Sequence, residues 1–248
     1  MSTRDFSNSV ALVTGANRGI GRAIVEQLIA AGVPKVYATA RDTSKLPAFD
    51  GAQMGQVVPL QLDVTNPAQI EAAAEQAGDV TVVINNAGVA GRDDATHVSG
   101  VDTARFEMEA NYFGLVYMGA AFAPVLTKNG GGTLANVLSI AGLANFPMFT
   151  TYSASKAAGH SLTQGQRQLF KGQGIHVAGV YPGPVETDMT AGMEFEMASP
   201  ADVAQAILDG LARGDDYIFP DAMAAQFGEA YLGDPRSVEQ QAAAMADL

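Results

Sequence analysis

The stretch VALVTGANRGIGRAIVEQLIAAG, residues 10–32, changes its periodicity in the middle. VALVT (10–14) is a short, β-rich apolar run of strand length. From Ile20 to Gly32 the apolar residues Ile24, Leu28 and Ala31 recur at helical spacing, and Gly32 supplies a C-terminal stop. Between the two, Gly15, Gly19 and Gly21 leave a turn nearly bare of side chains, which lets a backbone press close to a ligand. A strand that runs through such a turn into a helix is the crossing at which an open parallel sheet binds nucleotides, and free N–H groups at the helix start suit a pyrophosphate. The spacing is GxxxGxG rather than GxGxxG, and a tight turn with close helix packing would ask for the same glycines.

The pattern continues outward. KVYATA (35–40), VVPLQL (57–62), VTVVI (80–84), TLANVL (133–138) and IHVAGV (175–180) read as further strands, with helical patterns between them. Pro67, with Thr65 before it, starts one helix, and Val101 to Leu126 reads as a long buried one. GGG at 130–132 marks a loop. After Pro200 come the helix ADVAQAILDGLARG, a last strand in DYIFP and an Ala/Gln-rich acidic end. The alternation predicts an α/β fold: a doubly wound parallel sheet with helices on both faces. No repeat or linker divides the chain, so residues 1–248 are expected to form one domain.

The charge balance narrows the partners. A formal net charge of -12, with no basic run, argues against nucleic acid and anionic membrane surfaces. There are no cysteines, which excludes thiolate nucleophiles, disulfides and Cys-based zinc sites and fits a cytoplasmic location. No segment has the 18 or so consecutive apolar residues of a membrane span, and no signal peptide is expected. His97, His160 and His176 match no metal spacing and no triad, so they read as surface or packing residues and no metal is expected.

Against that acidic background, the cation Arg18 inside the glycine turn asks for an anion. Nucleotide folds that prefer NAD place a carboxylate at the end of the second strand, whereas an arginine there accommodates a 2′-phosphate. KVYATARD ends its strand at Ala40 and Arg41, so Arg18 and Arg41 are expected to converge on the 2′-phosphate of NADP(H), although Asp42 follows directly. Asp63, after the third strand, is a candidate for the adenine amino group; alternatively Asp63 or Thr65 caps the next helix.

YSASK, Tyr152 to Lys156, opens a helical pattern after the fifth strand, and residues four apart share a face. Adjacent positive charge is one way to bring a phenol from about 10 toward 7, which takes roughly 4 kcal/mol of phenolate stabilisation. Ser139 ends TLANVLS at the sheet edge where ligands sit, and its hydroxyl can donate to a substrate oxygen.

TGANRGIG, NNAG at 85–88, Ser139 thirteen positions before Tyr152, YSASK and PGPVET at 182–187 together resemble the short-chain dehydrogenase/reductase family in its compact form, in order from Val10 to about Met189. The resemblance implies a Rossmann-type sheet of seven parallel strands ordered 3-2-1-4-5-6-7. It implies Tyr152 as general acid/base, Lys156 on the nicotinamide ribose and lowering the tyrosine pKa, Ser139 on the substrate carbonyl, and Asn111 helping to hold a relay water. The cofactor site would then comprise Gly15, Asn17, Arg18, Gly19, Ile20, Gly21, Arg41, Asp63 and Val64, with Asn85, Ala87 and Gly88 as a wall. Tyr152, Lys156, Pro182, Gly183, Val185 and Thr187 would complete it, Thr187 near the carboxamide, and Asn86 would bridge neighbouring strands.

The expected reaction is hydride transfer between a nicotinamide and a carbonyl or secondary alcohol, in a homotetramer or homodimer. Substrate contacts are expected from Leu143, Phe146 and Phe149 and from the segment 188–199, where Met189, Met193 and Met197 recur every four residues as core or as lid. This predicts an apolar ketone or aldehyde. Glu194 and Glu196 would disfavour an anionic substrate if they faced the pocket. An epimerase or dehalogenase on the same scaffold, or a cofactor-sensing regulator, are the alternatives; the retained lysine and nucleotide turn argue against a dehalogenase, and intact Ser139, Tyr152 and Lys156 argue against the regulator. The tail YIFPDAMAAQF departs from the glycine-rich ending of many relatives, which leaves the far wall of the pocket open.

Overall fold

Successive side chains of a strand point to opposite faces. In β1 (Val10–Val13) Ala11 and Val13 take one face and Leu12 the other, and all three are fully buried, so both faces of this sheet must be covered. The computed structural model describes residues 5–91, 97, 100–192 and 196–244. β1 is followed by α1 (Gly19–Ala30), β2 (Lys35–Ala40), β3 (Val57–Gln61), α2 (Pro67–Gln76) and β4 (Val82–Asn85). Then come α3 (Gly100–Met108), α4 (Gly114–Lys128), β5 (Gly132–Val137), α5 (Thr150–Phe170) and β6 (Ile175–Val180). α6 (Pro200–Arg213), β7 (Tyr217–Ile218), α7 (Ala222–Gly233) and α8 (Pro235–Ala244) complete the order. The strands form one seven-stranded sheet, β3-β2-β1-β4-β5-β6-β7, and every pair is parallel.

One face carries α1 and α6, whose Ile24, Leu28, Ile207 and Leu211 meet Val13, Ala38 and Ile84. The other carries α2 and α4, whose Ile70, Met118 and Phe122 meet Leu12, Val83 and Leu134. A third apolar cluster, with Leu138, Ile140, Tyr181, Phe227 and Val238, joins the ends of β5 and β6 to α7 and α8. The chain therefore switches sides at β1 and β4, and the crevice at the carboxyl ends of those two strands is the ligand position of such sheets.

Strands expected at 35–40 and 175–180 have those bounds, and four others end within two residues of expectation. The last strand shrinks to two residues, paired with β6 through Gly179 and Val180. The helix expected at 101–126 is broken: a π turn, Glu109–Phe113, separates α3 from α4. Such a turn inserts a residue and re-aims side chains, frequently at a functional site. α2 is capped by Asn66, whose side chain accepts from Gln69 N–H at 3.2 Å, rather than by Asp63 or Thr65. Among the described residues, no helix is long and apolar enough to cross a membrane.

A methyl group on Gly21 would run into the Gly15 carbonyl oxygen and the Asn86 amide nitrogen. Gly21→Ala is therefore expected to cost about 1–3 kcal/mol through overpacking, measured as a lower urea midpoint at unchanged slope; an unchanged midpoint would contradict this packing.

Candidate active site

The glycine turn is built against the loop after β4. Thr14 Oγ1 accepts the N–H groups of Asn86 and Ala87, each at 2.9 Å, and Asn86 Nδ2 donates back to the Thr14 carbonyl at 2.9 Å. Asn86 thus bridges neighbouring strands as expected. Gly15 and Gly19 have positive φ, 66° and 53°, the left-handed region that favours glycine. α1 then starts with no side-chain cap and no acidic residue in its first turn. Its uncapped N–H groups, beside Asn17 and Ile20, fit a pyrophosphate.

Ala16 N–H bonds the Thr39 carbonyl at 2.8 Å, which brings the turn beside the end of β2. Arg41 is exposed there, and Asp42 accepts from Ser44 N–H and hydroxyl at 3.0 and 2.6 Å, so its carboxylate serves a local turn. Arg18 already has a partner: its Nη1 lies 2.8 Å from Asp188 Oδ2, and both side chains are about two-thirds exposed (67% and 69%). Nothing in the sequence pairs residues 170 apart. Asp63 Oδ1 accepts from Thr65 N–H and hydroxyl at 3.0 and 2.8 Å, and Val64 packs over Gly114.

Ser139, Tyr152 and Lys156 come together where β5 ends and α5 begins. Ser139 leaves the strand in an extended conformation and its Oγ accepts from Ala141 N–H at 3.1 Å. Gly142 lies against the Lys156 backbone, which seats this turn on α5. Lys156 is buried, donates to the Val137 carbonyl at 3.0 Å, and holds its Nζ 5.6 Å from the Tyr152 ring centre. Burial depresses its pKa to about 8. Burial also pushes the Tyr152 phenol up to about 12, against a lowering hydrogen bond from Ser139 and with a smaller push from the Glu107 charge. In the chain without cofactor, loss of solvent outweighs the neighbouring groups.

Asn111 sits in the π turn with its side chain fully engaged. Oδ1 accepts from Val89 N–H at 2.9 Å, and Nδ2 donates to the Val89 carbonyl at 2.8 Å and Ser155 Oγ at 2.9 Å. Gly88 lies directly against Asn111 and Lys156, where a side chain would crowd both. The Asn85 side chain turns inward and donates to Asn136, which reaches Thr163 and Gln166 on α5.

The chain matches the short chain dehydrogenase family over residues 9–197. It belongs to that family. It is similar to uncharacterised oxidoreductases of Staphylococcus saprophyticus, 31% identical over 84% of this chain and 92% of the relative, and of Myxococcus xanthus, 33% identical over 85% and 87%. Among solved structures it is similar to a short chain dehydrogenase from Burkholderia cenocepacia in complex with NADP, with TM-score 0.89, 35% identity and coverage of 96% and 99%. A short-chain dehydrogenase from Sphingobium yanoikuyae in complex with NADPH superimposes with TM-score 0.77, 28% identity and coverage of 94% and 95%.

In this short chain dehydrogenase the loop after β6 closes over the glycine turn. Thr187 packs on Gly19, the Pro182 carbonyl accepts from Ile140 N–H at 3.1 Å, and buried Val185 bridges to Ala198. Gly183 N–H donates to Asp221 Oδ2 at 2.8 Å, while Asp221 Oδ1 caps α7 through Ala224 N–H at 2.8 Å. The acidic tail is thereby tied to the site, and Asp221 was missed because its partner is 38 residues away. α7 supplies a wall: Phe227 stacks on Phe146 at 5.7 Å, with Leu143 and Met223 in the same cluster. Phe149 is half-buried and Met189 exposed, while Met193 and Glu194 lie outside the described residues. Asp188–Gly192 form turns, and Glu196 is exposed. His160 is a packing residue between Tyr181 and Tyr231, and no cluster of metal-ligating side chains occurs among the described residues.

A lysine whose folded pKa is lowered holds fewer protons than in the unfolded chain between the two values, so stability rises with pH there. From about pH 8 to 10, denaturant unfolding of the protein should show this rise, and Lys156→Met should flatten it. Parallel curves for the two proteins would contradict a buried amine at this position.

Proposed function

We propose that this oxidoreductase interconverts carbonyl compounds and secondary alcohols with NADP(H), acting as a reductase of ketones or aldehydes with apolar substituents. The observation that carries the reading is the meeting of Ser139, Tyr152 and Lys156 at one sheet edge. NADPH, when bound, would supply a hydride to the carbonyl carbon. The chain's own part is to polarise the oxygen and to protonate it. Ser139 and Tyr152 donate to the carbonyl oxygen, and Tyr152 passes its proton to the developing alkoxide. Lys156, fixed by Val137, would hold the nicotinamide ribose beside it.

Preference for NADP(H) is supported by the cofactors of the Burkholderia and Sphingobium relatives. It is supported equally by this chain's own residues: Arg18 and Arg41 flank the joint between the glycine turn and β2, and Asp42 is committed to Ser44. Guanidinium groups pair with phosphate through a planar fork. The Arg18 ion pair with Asp188 is solvent-exposed and presents a small obstacle, since such pairs contribute about 0–1 kcal/mol. Leu143 and Phe146, clustered with Met223 and Phe227 of α7, support apolar substituents on the substrate.

Tyr152→Phe should lower the rate of carbonyl reduction by about 10²-fold or more, measured as NADPH oxidation with a panel of apolar ketones; unchanged turnover would overturn the proton-donor role. Arg18→Ala should weaken NADPH by about tenfold, as expected for loss of roughly 1.4 kcal/mol of phosphate binding, and leave NADH nearly unaffected. Equal losses for both cofactors would remove Arg18 from the 2′-phosphate.

A further inference from the structure

A closed ring of contacts runs around the side of the crevice away from the glycine turn. The Ser139 hydroxyl lies 3.4 Å from the Pro182 carbonyl oxygen, and Ile140 N–H donates to that same oxygen at 3.1 Å. The next residue, Gly183, gives its N–H to Asp221 Oδ2 at 2.8 Å. At Asp221 begins α7, which runs beside the turn Ile140–Gly142 and stacks Phe227 on Phe146. Phe146 closes the ring, since its N–H donates to Ser153 Oγ at 3.1 Å, next to Tyr152.

Asp221 makes one bond more than its place as a helix cap requires. Its Oδ1 accepts Ala224 N–H at 2.8 Å and caps α7, and a serine or asparagine would do the same. Its other oxygen reaches across 38 residues to Gly183. A hydrogen bond to an ionised acceptor is roughly twice as strong as a neutral one. The loop at Gly183 has further anchors: Ile140 on Pro182, and Ala198, whose N–H donates to the Pro184 carbonyl at 3.0 Å. The carboxylate therefore sets α7 against a loop that is already fixed.

The side chain it sets there is Met223. A side chain on Gly183 would run into both Asp221 and Met223, so the methionine lies directly against the loop. Phe227, one turn further on the same face of α7, is buried. Met223 is only partly buried, at the edge of the cluster that holds Leu143 and Phe146. Its unbranched, polarisable side chain suits contact with an apolar ligand.

We propose that Met223 is the specificity-determining side chain at the far wall of the pocket, limiting the length of the apolar arm on the carbonyl compound, and that Asp221 is the positioning residue that sets it there. This rests on the reading of the crevice as a carbonyl-reducing site and adds which substrates it takes: compact apolar ketones and aldehydes whose arm ends at Met223.

The test measures kcat/KM with NADPH for unbranched methyl ketones of increasing chain length, relative to acetone, and the Kd of NADPH by fluorescence without substrate. Met223→Ala should raise the relative kcat/KM of the longest ketones by about tenfold, the scale of a methylene in an apolar pocket. Asp221→Ser keeps a cap for α7 but cannot reach Gly183, and it should shift the chain-length profile in the same direction. Asp221→Asn, with one acceptor left for two N–H groups, carries the same comparison if the serine variant does not fold. In the Met223→Ala background Asp221→Ser should add less than about twofold, because the two residues act as one unit. The Kd of NADPH should stay within about twofold throughout, since the loop keeps its other anchors. An unchanged profile in Met223→Ala overturns the proposal. Additive effects of the two substitutions also overturn it, as does an Asp221→Ser variant that weakens NADPH and leaves the profile unaltered. Retained turnover in Tyr152→Phe would instead sink the proton-donor reading while leaving the profile measurable, so the two failures are distinguishable.

Discussion

The seam between β1 and β4 is the constraint on which the site depends. Thr14 accepts two consecutive N–H groups through one hydroxyl, and Asn86 returns a donor to the Thr14 carbonyl. These bonds press the loop after β4 onto the glycine turn so closely that Gly21 has no room for a methyl group. The bareness of the turn thus has two causes at once. Gly15 and Gly19 need the left-handed region, and Gly21 is required by packing against Asn86. With the seam in place, the uncapped start of α1, the loop Ala87–Gly91 and the end of β5 face one crevice.

From that seam outward, the loop after β4 is held at three successive points: by Thr14 at Asn86 and Ala87, by Asn111 at Val89, and by Glu107 at Gly91. The last two come from the π turn and the helix before it, so the irregularity in the helix is what brings Asn111 onto the loop and onto Ser155 together. Behind them the buried amides of Asn85 and Asn136 tie β4 and β5 to α5, the helix that carries Tyr152 and Lys156. On the other side Asp221 holds Gly183 and starts α7, so the tail and the loop after β6 form a single unit.

Much of this was legible in the chain because the signals are local. A β-rich run followed by glycines and a 3.6-residue period in VALVTGANRGIGRAIVEQLIAAG specifies a strand, a turn and a helix. Tyr152 and Lys156 share a face because they are four residues apart on one helix. Other features had no local signal. The partners of Arg18 and Gly183 are 170 and 38 residues away, and the inward turn of Asn85 depends on Asn136 in the neighbouring strand. The break at Glu109–Phe113 falls in a run whose composition reads as continuous helix.

Sequence alone determined the alternation of elements, the parallel sheet and the residue types gathered at its edge, because periodicity, glycine positions and chemical type are properties of neighbours along the chain. Tertiary structure decided how those residues behave. Loss of solvent raises the Tyr152 phenol and lowers the Lys156 amine, an effect set by what the fold packs around them. Burial and through-space charge depend on three-dimensional distance, which no spacing along the chain encodes.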